Sequence, residues 1–379
     1  MRKAMSAFGV IGLLLCAGLS ACTTGADSAT VSAAAVPPGS GTAKVGVILP
    51  DSKSSARWRT DDPVYLAQAM KAAGIPADIR NAEGDKARFV RIGEQLISEG
   101  ARVLIIVNLD APSATAVIDK AHAAGVKVID YDRLTLNGGA DYYVSFDNVA
   151  IGVLQAQGLV KCLADRHVKT PVVAELNGSP ADNNANLFKT GYDSVLQPLY
   201  DQAEYIKGPD QYVDDWNNAE GGVIFREMWQ QQPKINGVLA ANDGLGGAVI
   251  DELRKQNRNG DIPVTGQDAT LPGLQNVLSG DQCMTVYKAM RPEAYAAAAL
   301  AVAVFNGTPV TAEALKLPAG ARLTRQKDTV AGRYLPFVSL PAVSVSQDTL
   351  QDAISKGYVS RKELCVGKYA AMCDHLHLR

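Results

Sequence analysis

The stretch Ala43–Thr60, AKVGVILPDSKSSARWRT, joins an apolar run to a sequel that an ordinary α/β turn does not need. Lys44 to Leu49 have the unbroken, β-branched character of a strand covered on both faces. The connection from such a strand to the next helix takes about 2–6 residues. Here it carries Lys53, Arg57 and Arg59, Trp58 and several small polar residues. Outward from this point the alternation repeats as VYLAQAMKAAG, ADIR, ARFVRIGEQLISEG, RVLIIV, SATAVIDKAHAAG and KVIDY, with Gly74, Gly100 and Gly125 where helices should stop. The pattern predicts a parallel, doubly wound sheet. After YYVSFDN it starts again, with helices near 149–163, 185–196, 219–231 and 245–256 set between PVVAEL, AEYIKG, INGVLAAND, IPVTGQD and CMTVYK. Two α/β lobes with no long linker between them call for several short crossovers.

The amino end reads Met1-Arg2-Lys3, then an apolar stretch from Phe8 to Leu19, then Leu19-Ser20-Ala21-Cys22. This is a basic n-region, an apolar core too short to span a bilayer, and a cleavage site with small residues. Leu19 to Cys22 resemble the lipobox of bacterial lipoproteins, which implies a mature chain beginning at lipidated Cys22. The residues that follow, to about Thr42, are almost entirely small or Pro and read as a tether. Four cysteines then remain in the body, Cys162, Cys283, Cys365 and Cys373. Export permits disulfides, and four cysteines allow three pairings. The short Cys365–Cys373 loop favours a local bridge, leaving Cys162 and Cys283 to pair or to stay buried and free. Removing Arg2 and Lys3 lowers the formal charge of −2 by two more, and no basic block occurs in the body, which argues against nucleic acid as a partner. A body of roughly 335 residues suits two domains.

In open parallel sheets ligands bind beyond the carboxyl ends of the strands. The residues in those places are Lys53, Arg57 and Trp58; Asn108 and Asp110; Asp130, Asp132 and Arg133; Asp182, Asn183 and Asn184; Asp214, Asp215 and Trp216; Asn242 and Asp243; Gln267 and Asp268; and Lys288. Helix capping accounts for any one Asp or Asn among them. It does not account for Arg133, Lys288, Gln267 or the tryptophans, and a cation at a helix start opposes the macrodipole. Forked and paired polar groups beside flat apolar faces match a monosaccharide, whose rim is hydroxyl and whose faces are C–H.

KSSARW, YDRL followed by YYVSFDN, GSPADNNANLF, ANDG, TGQDA and MTVYK resemble, in order, the signatures of the xylose-binding and multiple-monosaccharide-binding proteins of bacterial ABC transporters, a family with the type I periplasmic-binding fold. The similarity runs from about Lys44 to Tyr358. It implies that Arg57 hydrogen-bonds a sugar on which Trp58 stacks, and that Asp132 and Arg133 grip hydroxyls and the ring oxygen. It further implies that Asn184 reaches in from the second lobe, that Asn242 or Asp243, Asp268 and Lys288 complete the shell, and that Trp216 covers the other sugar face. Asp61 and Asp62 add negative charge after the first tryptophan, and the cysteine-bearing tail extends past the usual end of the family.

The expected organisation is therefore a signal peptide over 1–21, a lipidated tether over 22–43, a first lobe from 44–147 with 286–333, a second from 148–285 with 334–360, and a tail over 361–379. No GxSxG, HExxH, P-loop or dinucleotide fingerprint sits at a strand-to-helix turn, so neither catalysis nor a metal or organic cofactor is expected. The anticipated protein is a monomer outside the cell membrane, held by its lipid, passing D-xylose to a permease. Glucose or another aldose, a chemosensory role, and a sugar-active enzyme built on paired Asp residues are the alternatives.

Overall fold

The computed structural model describes residues 42–379; the proposed signal peptide, Cys22 and nearly all of the tether lie outside them. The strands are β1 Lys44–Leu49, β2 Ala77–Asn81, β3 Ala101–Ile106, β4 Lys127–Tyr131, β5 Tyr142–Phe146, β6 Val172–Asn177, β7 Ile206–Tyr212, β8 Gly237–Ala240, β9 Met284–Lys288, β10 Arg322–Asp328, β11 Arg333–Leu340 and β12 Ala342–Ser346. One sheet runs β10-β11-β5-β4-β3-β1-β2, parallel throughout except for the antiparallel β10–β11 pair at its edge. Val45, Val47, Ile48 and Leu49 of β1 and Val103 to Ile106 of β3 are buried, as strands covered by helices on both faces require.

The second lobe holds β7-β6-β8, all parallel. A single bridge from Val238 to Val264 extends it, and backbone bonds from Cys283 to Val264 and from Val286 to Gly266 carry it on to the antiparallel pair β9–β12. The strand expected in IPVTGQD thus contracts to one bridging residue. Left-handed backbone at Asp268 and Ala269, with φ of 97° and 50°, turns the chain away. The architecture is the expected pair of doubly wound lobes.

The chain passes between the lobes three times, at Asp147, Ala289 and Pro341. Two expected boundaries move accordingly. β9 remains in the second lobe to Lys288, and the helix Met290–Phe305 that follows packs on β3, β4 and β5 of the first. β11 joins β5 of the first sheet, so the return falls at Pro341 and not after residue 333. Residues 361–379 are part of the second lobe as well. Leu364, Cys373 and Leu378 are buried against Leu274, Val277, Leu278 and Leu350. Cys365 pairs with Cys373, and Cys162 of the helix Asn148–Asp165 pairs with Cys283 before β9, at Cα separations of 5.9 and 6.4 Å.

Candidate functional site

Asp51 ends the first strand and organises the long connection. Its carboxylate accepts from the backbone N–H of Lys53 and Ser54 at 2.7 and 2.6 Å and from the Ser54 hydroxyl at 2.8 Å. This Asx-type turn places the short helix Arg57–Thr60 against the sheet end, with Arg57 and Trp58 buried. The Arg57 guanidinium lies 4.2 Å from the Trp58 ring centre, and that of Arg133 lies 5.9 Å from the same ring. The oversized connection is one wall of a cavity.

Beyond β4, Asp132 adopts φ of 61°. Its carbonyl accepts three bonds, from Tyr143 Oη at 3.0 Å, Ser145 Oγ at 2.8 Å and Asn184 Nδ2 at 2.9 Å, and these hold the uncommon conformation in place. Its carboxylate meets Lys288 Nζ at 2.6 Å and Arg57 Nη1 at 3.1 Å. Burial works against the charge, but Lys288 and Arg57 hold the carboxyl down at about 2. Lys288, at the end of β9, is buried over the Phe146 ring. Burial alone would lower its pKa, and Asp132 and Asp268 raise it. Both groups are charged at neutral pH.

The second lobe supplies the opposite wall. Asp182 caps the helix Asn183–Asp201 by accepting from Asn184 N–H at 2.9 Å, accepts from Trp216 Nε1 at 3.1 Å, and pairs with Arg133 Nε at 3.1 Å. Asp215 and Trp216 are both left-handed, at φ of 51° and 55°. The Trp216 ring lies on Gly178 so closely that any Cβ there would strike it. Asn242 caps the helix Asp243–Lys255 through Oδ1, accepting from Leu245 N–H at 2.9 Å. Asp268 accepts from Gln267 Nε2 and stands 3.5 Å from Ser55 Oγ of the first lobe. Burial raises the Asp268 carboxyl, and Lys288 and Arg57 partly counter this.

Arg57, Trp58, Asp132, Arg133, Asn184, Trp216, Asn242, Asp268 and Lys288 together line one small cavity between the lobes. Ser54, Ser55, Asp182, Phe188 and Gln267 complete the lining. Asp182 and Gln267 stood among the strand-end residues but outside the expected ligand set; the DxN spacing to Asn184 was the available signal for Asp182.

One expected site residue does not face this cavity. Asp243 accepts from Thr285 Oγ1 at 2.7 Å, Gln282 Nε2 at 2.8 Å and Thr270 N–H at 2.8 Å, deep in the second lobe. Burial without a cationic partner pushes its carboxyl up to about 7. It braces the loops that carry Asn242 and Asp268. Asn184 also differs in part from expectation: its Nδ2 donates to the Asp132 carbonyl and carboxylate, and its Oδ1 accepts from Asn148 Nδ2 at 2.8 Å, so its amide spans the two lobes.

Two lobes that close polar forks and flat rings over a small chamber define a binding clamp, a class that needs no reacting group. Residues 45–309 match the periplasmic binding protein domain, and the chain belongs to that family of solute-binding proteins. It is similar to the D-xylose-binding periplasmic protein of Escherichia coli, at 31% identity over 83% of this chain and 91% of that one. It is also similar to the multiple sugar-binding periplasmic receptor ChvE of Rhizobium radiobacter, at 35% over 65% and 73%. Among solved structures, a carbohydrate transporter solute-binding protein from Chloroflexus aurantiacus in complex with D-glucose superposes with a TM-score of 0.72 at 28% identity, covering 85% of this chain and 98% of that one.

Proposed function

We propose that this protein is the extracytoplasmic receptor of an ABC transporter, capturing one aldose, D-xylose foremost, and presenting it to a permease. The observation that carries this reading is the interlobe cavity, bounded by Trp58 from one lobe and Trp216 from the other and rimmed by Asp132, Arg133, Asp268 and Lys288. The rings supply flat apolar faces and the rim supplies fixed hydrogen-bond partners. Relatives named for D-xylose binding support the pentose, and the neighbour holding D-glucose keeps a hexose in the test. Calorimetry over pentoses and hexoses, with small-angle scattering to follow closure, tests the reading. Failure of every aldose to bind, or binding without a smaller radius of gyration, overturns it.

Trp58→Ala should cost about 1–3 kcal/mol of sugar affinity through lost stacking and burial, measured by the same calorimetry. An unchanged Kd would remove Trp58 from the site. The lipobox-like Leu19 to Cys22 supports membrane attachment through lipidated Cys22. Expressed in a lipoprotein-processing bacterium, Cys22→Ala should appear in the soluble fraction while the parent stays with membranes; equal membrane association would sink the anchor.

A further inference from the structure

Arg57 has five N–H donors, and the protein takes four of them. Nε and Nη2 donate to the two oxygens of Asp62 at 2.8 and 2.7 Å, Nη2 donates again to Glu293 Oε2 at 2.6 Å, and Nη1 donates to Asp132 at 3.1 Å. The fork of this arginine is thus turned inward onto Asp62, and a single N–H on Nη1 is left for the cavity. Arg133 contrasts with it. The protein engages Arg133 through Nη1 to the Asn108 carbonyl at 3.1 Å, weakly through Nη2 to Ser54 at 3.5 Å, and by the ion pair with Asp182, leaving two N–H groups to offer.

Glu293 is wholly buried in the first turn of the helix Met290–Phe305, just after the second crossover. Its Oε2 holds Arg57, while Oε1 finds no partner among the described residues. A carboxyl buried with an oxygen unsatisfied costs stability that an apolar residue in its place would not. With its other oxygen committed to an arginine that lines the cavity, its place points to a role at Arg57.

We infer that Glu293 is a positioning residue for ligand binding: by holding Nη2 from behind, it keeps the Arg57 guanidinium over Trp58 so that Arg57 reads one sugar oxygen and Arg133 reads two. The inference rests on the sugar-binding reading above. Around Glu293 stand Arg57 and Asp62 from the first helices, Tyr131 and Asp132 from the end of β4, and Lys288 from β9. Burial drives the Glu293 carboxyl up to about 8, with Arg57 and Lys288 opposing and Asp132 and Asp62 adding to the rise. A ligand that dries the cluster further favours the neutral carboxyl, so affinity falls as pH rises through this value.

The test is calorimetry with D-xylose and D-glucose from pH 6 to 9 on the parent, Glu293→Gln and Glu293→Leu. Glu293→Gln still accepts from Arg57 and should bind within about threefold of the parent at pH 7, with a flat profile where the parent loses about threefold by pH 9. Glu293→Leu should bind about tenfold more weakly throughout. If the parent binds neither these sugars nor any other aldose, the functional reading falls and takes this inference with it. If the parent binds and Glu293→Leu binds within twofold of it, Glu293 only supports the fold and the inference alone is overturned. Should Glu293→Leu fail to fold, a Glu293→Gln profile that tracks the parent overturns it, and a flat one upholds it.

Discussion

Arg133→Ala should weaken sugar binding by about 2–4 kcal/mol, or roughly 30- to 1,000-fold, and leave both sheets folded. Arg133 is 7% exposed and meets three separate elements: the Asn108 carbonyl after β3, Ser54 of the long connection, and Asp182 of the second lobe. Its planar fork keeps two N–H groups toward the cavity, and its charge partners the buried Asp182 across the interface. Truncation removes the donors and also leaves Asp182 with only Trp216 Nε1 and a backbone N–H. Burial already raises the Asp182 carboxyl, and loss of Arg133, its principal opposing charge, would raise it further. The carboxyl would then take up a proton and let Trp216 drift. Lysine at 133 cannot restore a two-point grip. Calorimetry on Arg133→Ala and Arg133→Lys, with circular dichroism for the fold, checks the claim. Near-parental affinity in Arg133→Ala would show that the sugar does not use this fork.

Gly152→Val should destabilise the protein by about 4 kcal/mol or more, at the upper limit of single-residue effects. The helices Asn148–Asp165 and Asn183–Asp201 touch backbone to backbone: a Cβ on Gly152 would collide with the Phe188 carbonyl, and one on Gly191 with the Val149 carbonyl. Neither obstacle is a side chain that can rotate aside, so the helices must separate. Separation would also part Asn148 from Asn184, which meet at 2.8 Å at the starts of the same two helices, and so loosen the brace on Asp132. A fall in Tm on the order of 10 °C, accompanied by weaker sugar binding, is the expected result. Gly247→Ala is the control, since a Cβ there meets nothing within 4 Å. It lies inside a helix and should be neutral or stabilising by about 0.5–1 kcal/mol. Equal Tm values for the two variants would show that the close helix crossing does not matter.

The lobes were legible because parallel strands buried on both faces leave short β-branched runs, and Gly74, Gly100 and Gly125 mark the helix ends. The joins between lobes were not. Each crossover is a single residue between elements, with no shift in composition, and β10 reads RLTRQKD, an exposed edge strand with little apolar content. The site was legible where a residue type ill-suited to a helix start stood at a strand end, as with Arg133, Lys288 and Trp58. It misled at Asn242 and Asp243, because adjacent residues at a helix start project in different directions and only the first lines the cavity. Asp62 and Glu293 look like ordinary first-turn carboxylates complementing a macrodipole, and only the fold brings both to Arg57. Of the two acids after Trp58, Asp62 is thereby accounted for.

The three passages between lobes also govern how the chain can fold. β5 is completed by β11, some two hundred residues later, and β9 by β12, so each sheet needs strands that arrive close to the carboxyl end. A polypeptide delivered amino end first cannot finish one lobe and then begin the other. Both wait together, each with an open strand edge, until Pro341 has passed. Such edges invite pairing with other chains, and pairings this distant in sequence form slowly. Chains halted before β11 should therefore be insoluble fragments, and neither lobe can be produced by cutting the gene at one point.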